Sequence, residues 1–351
     1  MKTRLLYMVS AVVLMFFAGC AGGGGTLLPN SSGAAFEVLL VIDDDVYRTP
    51  AGEAVFNALT GPVPHLPQPE AQFRISRVPH KMFDHLLRTT RNIVFVTVDS
   101  MQYTRCTVNL LRDRWARMQA IVNITAPDTE TLLGGVVQSA GRIVDFLVRG
   151  ERERFMDYYA SSVSQEAVQR VYKKFGCKIA LPTSMNKFKE GEDFLWVSNG
   201  SGNIRQDILI YSLPYRSAEQ LTREGILAAR DSVLKKNLPG GVEGSYMGTE
   251  YRYYPPETEE ITVNGAWCAE TRGLWRMVDG EIMGGPFVSH TRIDEVNGRI
   301  IVAEGFAFAP RVDKRTPLRQ VEAMVYTLKL PQEINAVTVV AKRPETKESA
   351  E

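Results

Sequence analysis

Residues 285–310 read GPFVSHTRIDEVNGRIIVAEGFAFAP. Two apolar runs of strand length flank Asn297-Gly298. Asn-Gly is a strong hairpin signal, because both residues tolerate the positive φ of a turn whose twist matches its strands. This stretch is therefore read as antiparallel sheet. Working outward, ITVNGAWCAETRGLWRMV (261–278), EYRYYPP (250–256) and QVEAMVYTLKL (320–330) extend the β-rich region. Earlier, CKIALP (177–182), DFLWVSN (193–199) and RQDILIYSLPY (205–215) read as three strands, followed by one amphipathic helix from about Ala218 to Lys236. Residues 177–341 are thus expected to form an α+β part, a mostly antiparallel sheet with one covering helix. The polar residues 342–351 are expected to fray.

The preceding half has another rhythm. FEVLLVID (36–43) reads as a buried strand. TPAGEAVFNALTG (49–61) reads as a helix with Thr49 as N-cap, Pro50 at its first position and Gly61 at its end. PVPHLPQPE (62–70) holds four prolines in nine residues, so it can only be an extended crossing. FRISRV (73–78) is read as a strand, HKMFDHLLRTT (80–90) as a short helix and RNIVFVTV (91–98) as a strand. The order β-α-β-α-β implies helices packed on a sheet. RWARMQAIVNIT (114–125) adds a strand. A helix capped by Asp128 follows, with Leu132, Leu133, Val136, Val137, Ala140, Ile143, Val144 and Leu147 on one face. A second helical stretch carries Phe155, Tyr158 and Tyr159, and a third runs from Ser164 to a Gly176 stop. Residues 36–176 are expected to form an α/β part. Strand, helix and sheet recur in both halves, but no sequence period marks a duplication.

The first 35 residues supply an address. Leu5–Phe17 is a run of 13 residues behind Lys2 and Arg4. About 20 apolar residues are needed to cross a bilayer, so this run suits the core of a signal peptide. Ala18-Gly19-Cys20 resembles a lipobox, although Phe17 stands where Leu, Val or Ile is usual. The expectation is a signal peptide over 1–19, lipid attachment at Cys20 and a Gly- and Ser-rich tether over 20–35. Without Lys2 and Arg4 the chain carries 39 Lys and Arg against 40 Asp and Glu. That balance gives no electrostatic footprint for nucleic acid. Cys106, Cys177 and Cys268 form no C-x-x-C pair and are read as unlinked buried thiols. The histidines form no H-E-x-x-H or H-x₃-H arrangement, so no dedicated metal site and no cofactor are expected.

Several ordered segments, among them RNIVFV, RQDILIYSLPY, GSYMGTEYR, ETRGLWRM, MGGPFVSHTR and EGFAFAPRVDKR, together resemble a Bacteroidota lipoprotein family of unknown function, domain of unknown function 4837. The resemblance runs from Phe36 to about Leu330. It implies a compartment and supplies no activity. In such lipoproteins an acidic cluster just after the lipidated Cys favours the cell surface. Cys20 has none, which favours the periplasmic face of the outer membrane.

Candidate chemistry is sparse. Asp43, Asp44 and Asp45 follow a strand, where α/β sheets place ligands and three carboxylates can bind a hard cation, but a solvated loop that also favours the following helix N-terminus explains them better. Asp279 and Glu281 offer a carboxylate pair for general acid and base work on glycans, yet Gly280 reads as a turn between them. Trp275 and Phe287 are either core plugs of a hairpin closed at Gly284-Gly285 or the lining of a ligand or partner groove. Tyr246, Tyr251, Arg252, Tyr253 and Tyr254 make an aromatic and basic patch of the kind enriched at binding hot spots. No G-x-S-x-G elbow is present. The leading expectation is a membrane-anchored, non-enzymatic module that binds an envelope protein or glycan. The alternative is a carboxylate-dependent glycan hydrolase.

Overall fold

Strand β1 (Glu37–Ile42) is apolar from Val38 to its end because both of its faces are covered. It pairs in parallel with β2 (Arg74–Val78) and β3 (Asn92–Val98). The computed structural model describes residues 28–334; Cys20, the start of the tether and the tail lie outside the described residues. The first sheet has the order β2-β1-β3-β5-β4, with β5 (Ala120–Ala126) parallel to β3 and β4 (Thr107–Arg112) antiparallel at the edge. One face carries α1 (Pro50–Thr60) and α2 (Thr129–Ser161) over a core that includes Leu40, Val94, Val122, Val136 and Leu147. The other is covered by Phe83, Leu87 and Trp115. Thr49 and Asp128 cap their helices as expected, accepting from the amides of Gly52 and Thr131.

Three readings of this half need correction. Residues 80–90 form two short 3₁₀ turns, His80–Met82 and Leu87–Thr89. The Asp84 carboxylate accepts from the amides of Leu86 and Leu87 and closes a local turn in place of a helix. Strand β4 went unread, because an edge strand is only half buried and loses its alternation. The two helical stretches before residue 162 are one helix of 33 residues. It is long and apolar enough to cross a membrane, but Leu132, Val136, Ile143 and Leu147 are buried against the first sheet.

The second sheet has the order β10-β11-β12-β13-β8-β7-β6 and is antiparallel throughout, with β9 (Tyr246–Thr249) also pairing β11. Its opposite strand sense makes it no copy of the first. The hairpin of β12 (Gly284–Asp294) and β13 (Arg299–Phe308) forms where Asn297-Gly298 places it. The connection takes four residues, closed by the Asp294 carboxylate on the Asn297 amide and by Gly298 at φ +60°. A second Asn-Gly pair, Asn264 and Gly265 at φ +52° and +80°, joins β10 (Glu257–Val263) to β11 (Ala266–Val278). β6 (Lys187–Glu190), β7 (Phe194–Ser198) and β8 (Arg205–Pro214) complete the sheet.

Helices cover both faces of this sheet. Helix α4 (Arg223–Asn237) packs over Trp275, Phe287 and Phe306. Helices α3 (Gln165–Phe175) and α5 (Arg315–Tyr326) pack on the other side. α5 overturns the reading of 320–330 as a strand. Leu318, Val321, Met324, Val325 and Leu328 are all buried, a helical spacing that outweighs the β-branched and aromatic content. Gly305 of β13 admits it, since a Cβ there would lie 2.8 Å from Val321. CKIALP makes only isolated bridges, at Lys178 and Pro182. The Ala218–Lys236 helix is broken at Thr222, whose extended backbone and hydroxyl start α4 afresh. EYRYYPP is a loop after β9. Gly284 and Gly285 lie inside β12 and close no turn. A Cβ on Gly284 would sit 2.7 Å from the Trp275 carbonyl oxygen, and one on Gly285 would collide with that of Ala307.

The halves meet along α2 and α5. Phe155 of α2 packs against both cores. Glu70, from the proline-rich crossing, accepts from the amides of Lys314 and Arg315 at 2.7 and 2.8 Å and so caps α5 from the other half.

Candidate functional site

A cleft of about 880 Å³ opens at this junction. α2 supplies an apolar wall of Val144, Val148 and Met156. β10 and β11 form the facing wall, and α5 closes the bottom. Substrates and ligands favour such concave sites between structural units.

The floor is a network of buried charge. Glu322 is 1% exposed. Its carboxylate accepts from Arg152 at 3.2 Å, Arg272 at 2.9 Å and Arg319 at 2.8 Å. Burial alone would raise its pKa, but the three guanidiniums outweigh that and hold it far below the usual range. Arg272 also donates to Glu270 at 2.8 Å. Glu270 accepts from Tyr326 Oη at 2.9 Å and from His290 Nε2 at 3.0 Å. Here too burial pushes upward, yet Arg272 and the His290 hydrogen bond hold Glu270 at about 2. Burial lowers the pKa of His290 more than Glu270 raises it, so the imidazole is neutral. Its Nε2–H faces Glu270, leaving Nδ1 buried without a partner. The guanidinium of Arg152 stacks 3.7 Å from the Tyr326 ring centre.

These shifts share one sign. An unfolded chain holds histidine near pKa 6.5 and glutamate near 4.3. His290 titrates lower when folded, so its share of stability is complete above about pH 6.5 and declines as pH falls. Glu270 and Glu322 contribute fully above about pH 4.5 and lose that contribution on further acidification. Melting temperature should fall in two stages below neutrality. His290→Asn should remove much of the upper stage; a variant that keeps it unchanged would show that other groups titrate there.

The residues singled out from sequence lie elsewhere. Trp275 and Phe287 are 2% and 0% exposed, in the core beneath α4, so they line no surface groove. Trp275 Nε1 donates to the Ala307 carbonyl, and Arg230 stacks 3.7 Å over Phe287 while its guanidinium grips Glu304 through two hydrogen bonds of 2.7 Å. Tyr251, Arg252, Tyr253 and Tyr254 are exposed together on the loop after β9. Tyr251 Oη donates to Asp231 at 2.6 Å, and Arg252 lies over the Tyr253 ring. Asp279 and Glu281 sit exposed at the tip of the β11–β12 connection, Asp279 at φ +53°, and lie outside this cleft. Asp43 accepts from His80 and Asp44 from Arg77. Among the described residues no group of three or more His, Cys, Asp or Glu is placed to hold a metal ion. Cys106, Cys177 and Cys268 are free thiols, and burial pushes Cys177 and Cys268 up to about 12. The cleft itself went unread, because its residues come from four separated segments. The only local signal was an ungrouped excess of Arg and Glu on apolar elements.

Residues 164–327 match the family model described as Domain of unknown function (DUF4837), and residues 31–160 match a second, Domain of unknown function (DUF8532). The quoted segments from RQDILIYSLPY onward fall within the first match, and RNIVFV falls within the second. The first match begins at Ser164 rather than Phe36, and residues 31–160 match a different model. The boundary falls between α2 and α3. No curated protein matches the chain.

Proposed function

We propose that the protein is a lipid-anchored envelope module that binds its ligand in the cleft between the two halves. The observation that carries this reading is the cleft's floor. Buried ion networks are costly and add little to stability over a packed apolar core. Here one lies at the bottom of an open concavity, with the neutral His290 behind it. Perturbed titratable groups in a cleft are a mark of a functional site. The geometry favours binding over hydrolysis by Asp279 and Glu281, which stand exposed on a hairpin tip. Anchorage rests on the 13-residue apolar run and Ala18-Gly19-Cys20, and the periplasm-facing side on the lack of an acidic cluster just after Cys20. An envelope protein or glycan is the partner class we assign.

Anchorage is tested by Cys20→Ser. Loss of labelled palmitate and accumulation of unprocessed precursor are expected; palmitate incorporation at the original level would overturn the assignment. Binding in the cleft is tested by Val148→Trp, which fills the apolar wall. Envelope fractions that protect the original chain from proteolysis should fail to protect the variant.

A further inference from the structure

We propose that Asp43, His80 and Thr97 form a nucleophilic triad that hydrolyses a carboxylic ester, at a second site in the first half of the chain. The parallel register assembles it. Val41 of β1 pairs Val78 of β2 on one side and Phe95 of β3 on the other. Asp43, His80 and Thr97 each stand two residues beyond that row, so they emerge side by side on one face, at the carboxyl ends of the strands. β2 lies on one side of β1 and β3 on the other, so the strand order reverses direction here. Open α/β sheets bind ligands at such a reversal, outside the carboxyl ends of the strands.

The hydrogen bonds run in one direction. Asp43 Oδ2 lies 3.1 Å from His80 Nδ1, and Oδ1 accepts the His80 amide at 2.9 Å. A carboxylate only accepts, so Nδ1 carries the proton and Nε2 is left as an acceptor. Thr97 Oγ1 lies 3.2 Å from Nε2 and donates to it. A hydroxyl within reach of a base that a third group orients is the signature of an activated nucleophile. The site is open to solvent, with the side chains of His80 and Asp43 32% and 50% exposed. Met82 and Met101, 60% and 93% exposed, follow His80 and Thr97 closely and offer a surface to an apolar acyl group. Lys81 is within electrostatic reach of Asp44, and its ammonium is the cation we assign to the oxyanion.

Thr97 Oγ1 attacks the ester carbonyl carbon while its proton passes to His80 Nε2. The imidazolium returns that proton to the departing alkoxide, which leaves as the alcohol, with the acyl group on Thr97. Water, deprotonated by the same nitrogen, then cleaves the acyl-threonine to the acid and restores the hydroxyl. Asp43 touches no reacting atom and is a positioning residue.

The test treats the full chain in detergent with p-nitrophenyl butyrate and, separately, with an alkyl fluorophosphonate whose adducts are mapped by mass spectrometry. Ester turnover and a phosphonyl adduct on Thr97 are expected. Both should fall about a hundredfold or more in Thr97→Val and His80→Gln, as for loss of a positioned base. Asp43→Asn should lose labelling at a temperature where its circular dichroism is still native, and Asp43→Glu should recover part of it. Undiminished labelling in a folded Asp43→Asn would overturn the positioning role. No turnover and no adduct in the original chain would overturn the proposal, as would an adduct on another residue or labelling of Thr97 that persists in His80→Gln.

Discussion

Glu322→Leu is expected to destabilise the protein by about 3–5 kcal/mol, because breaking a buried ion cluster from one side leaves its partners uncompensated. Arg152, Arg272 and Arg319 all point at this carboxylate. Arg152 comes from α2, in the first half, and Arg272 from β11, in the second. The carboxylate therefore ties the two cores as well as neutralising charge. Denaturant unfolding should show both the loss and a broadened or split transition, with α2 and the second sheet no longer melting together. A loss below about 1 kcal/mol with one sharp transition would show that the arginines find other anions.

Trp275→Ala should cost about 3–5 kcal/mol, the range for removing a large buried aromatic side chain. Trp275 packs edge-on against Phe306 at 5.5 Å between ring centres and caps the Ala307 carbonyl. Its removal would open a void under α4 and strand that carbonyl. Phe287→Ala should cost as much, since it also removes the ring beneath Arg230. Tyr253→Ala, on an exposed loop, should change stability by no more than about 0.5 kcal/mol. Thermal and denaturant melts of the three variants separate core from surface. A small effect at Trp275 would return the segment to consideration as a binding groove.

What was legible in the sequence followed from local physics. Thr49, Asp128 and Ser164 cap helices because their side chains accept from amides three residues on. Asn297-Gly298 makes its turn wherever the strands go. The errors arose where tertiary packing overrode composition. Residues 320–330 contain Val321, Val325, Tyr326 and Thr327, all at home in strands, yet the helical spacing of Leu318, Val321, Met324 and Val325 suits the face offered by β13. EYRYYPP has the composition of a strand, but Arg252 and Tyr253 turn about the Glu250 carboxylate, which accepts both of their amides. The cleft was hidden for a different reason. Glu322 and Arg152 are 170 residues apart, and no local pattern announces such a pair. Trp275 and Phe287 drew attention by being large and rare, and size alone favours the core.

Binding in the cleft between the two halves, as proposed, leaves a footprint on the cleft's walls. Hydrogen exchange of the full chain, with and without solubilised envelope fractions, tests it most directly. β10 is an edge strand, so its amides should exchange readily in the free protein and slow on binding, together with the Val144–Met156 stretch of α2. Protection confined to the Tyr251–Tyr254 loop or to the Asp279–Met283 hairpin tip, with β10 unchanged, would contradict the claim.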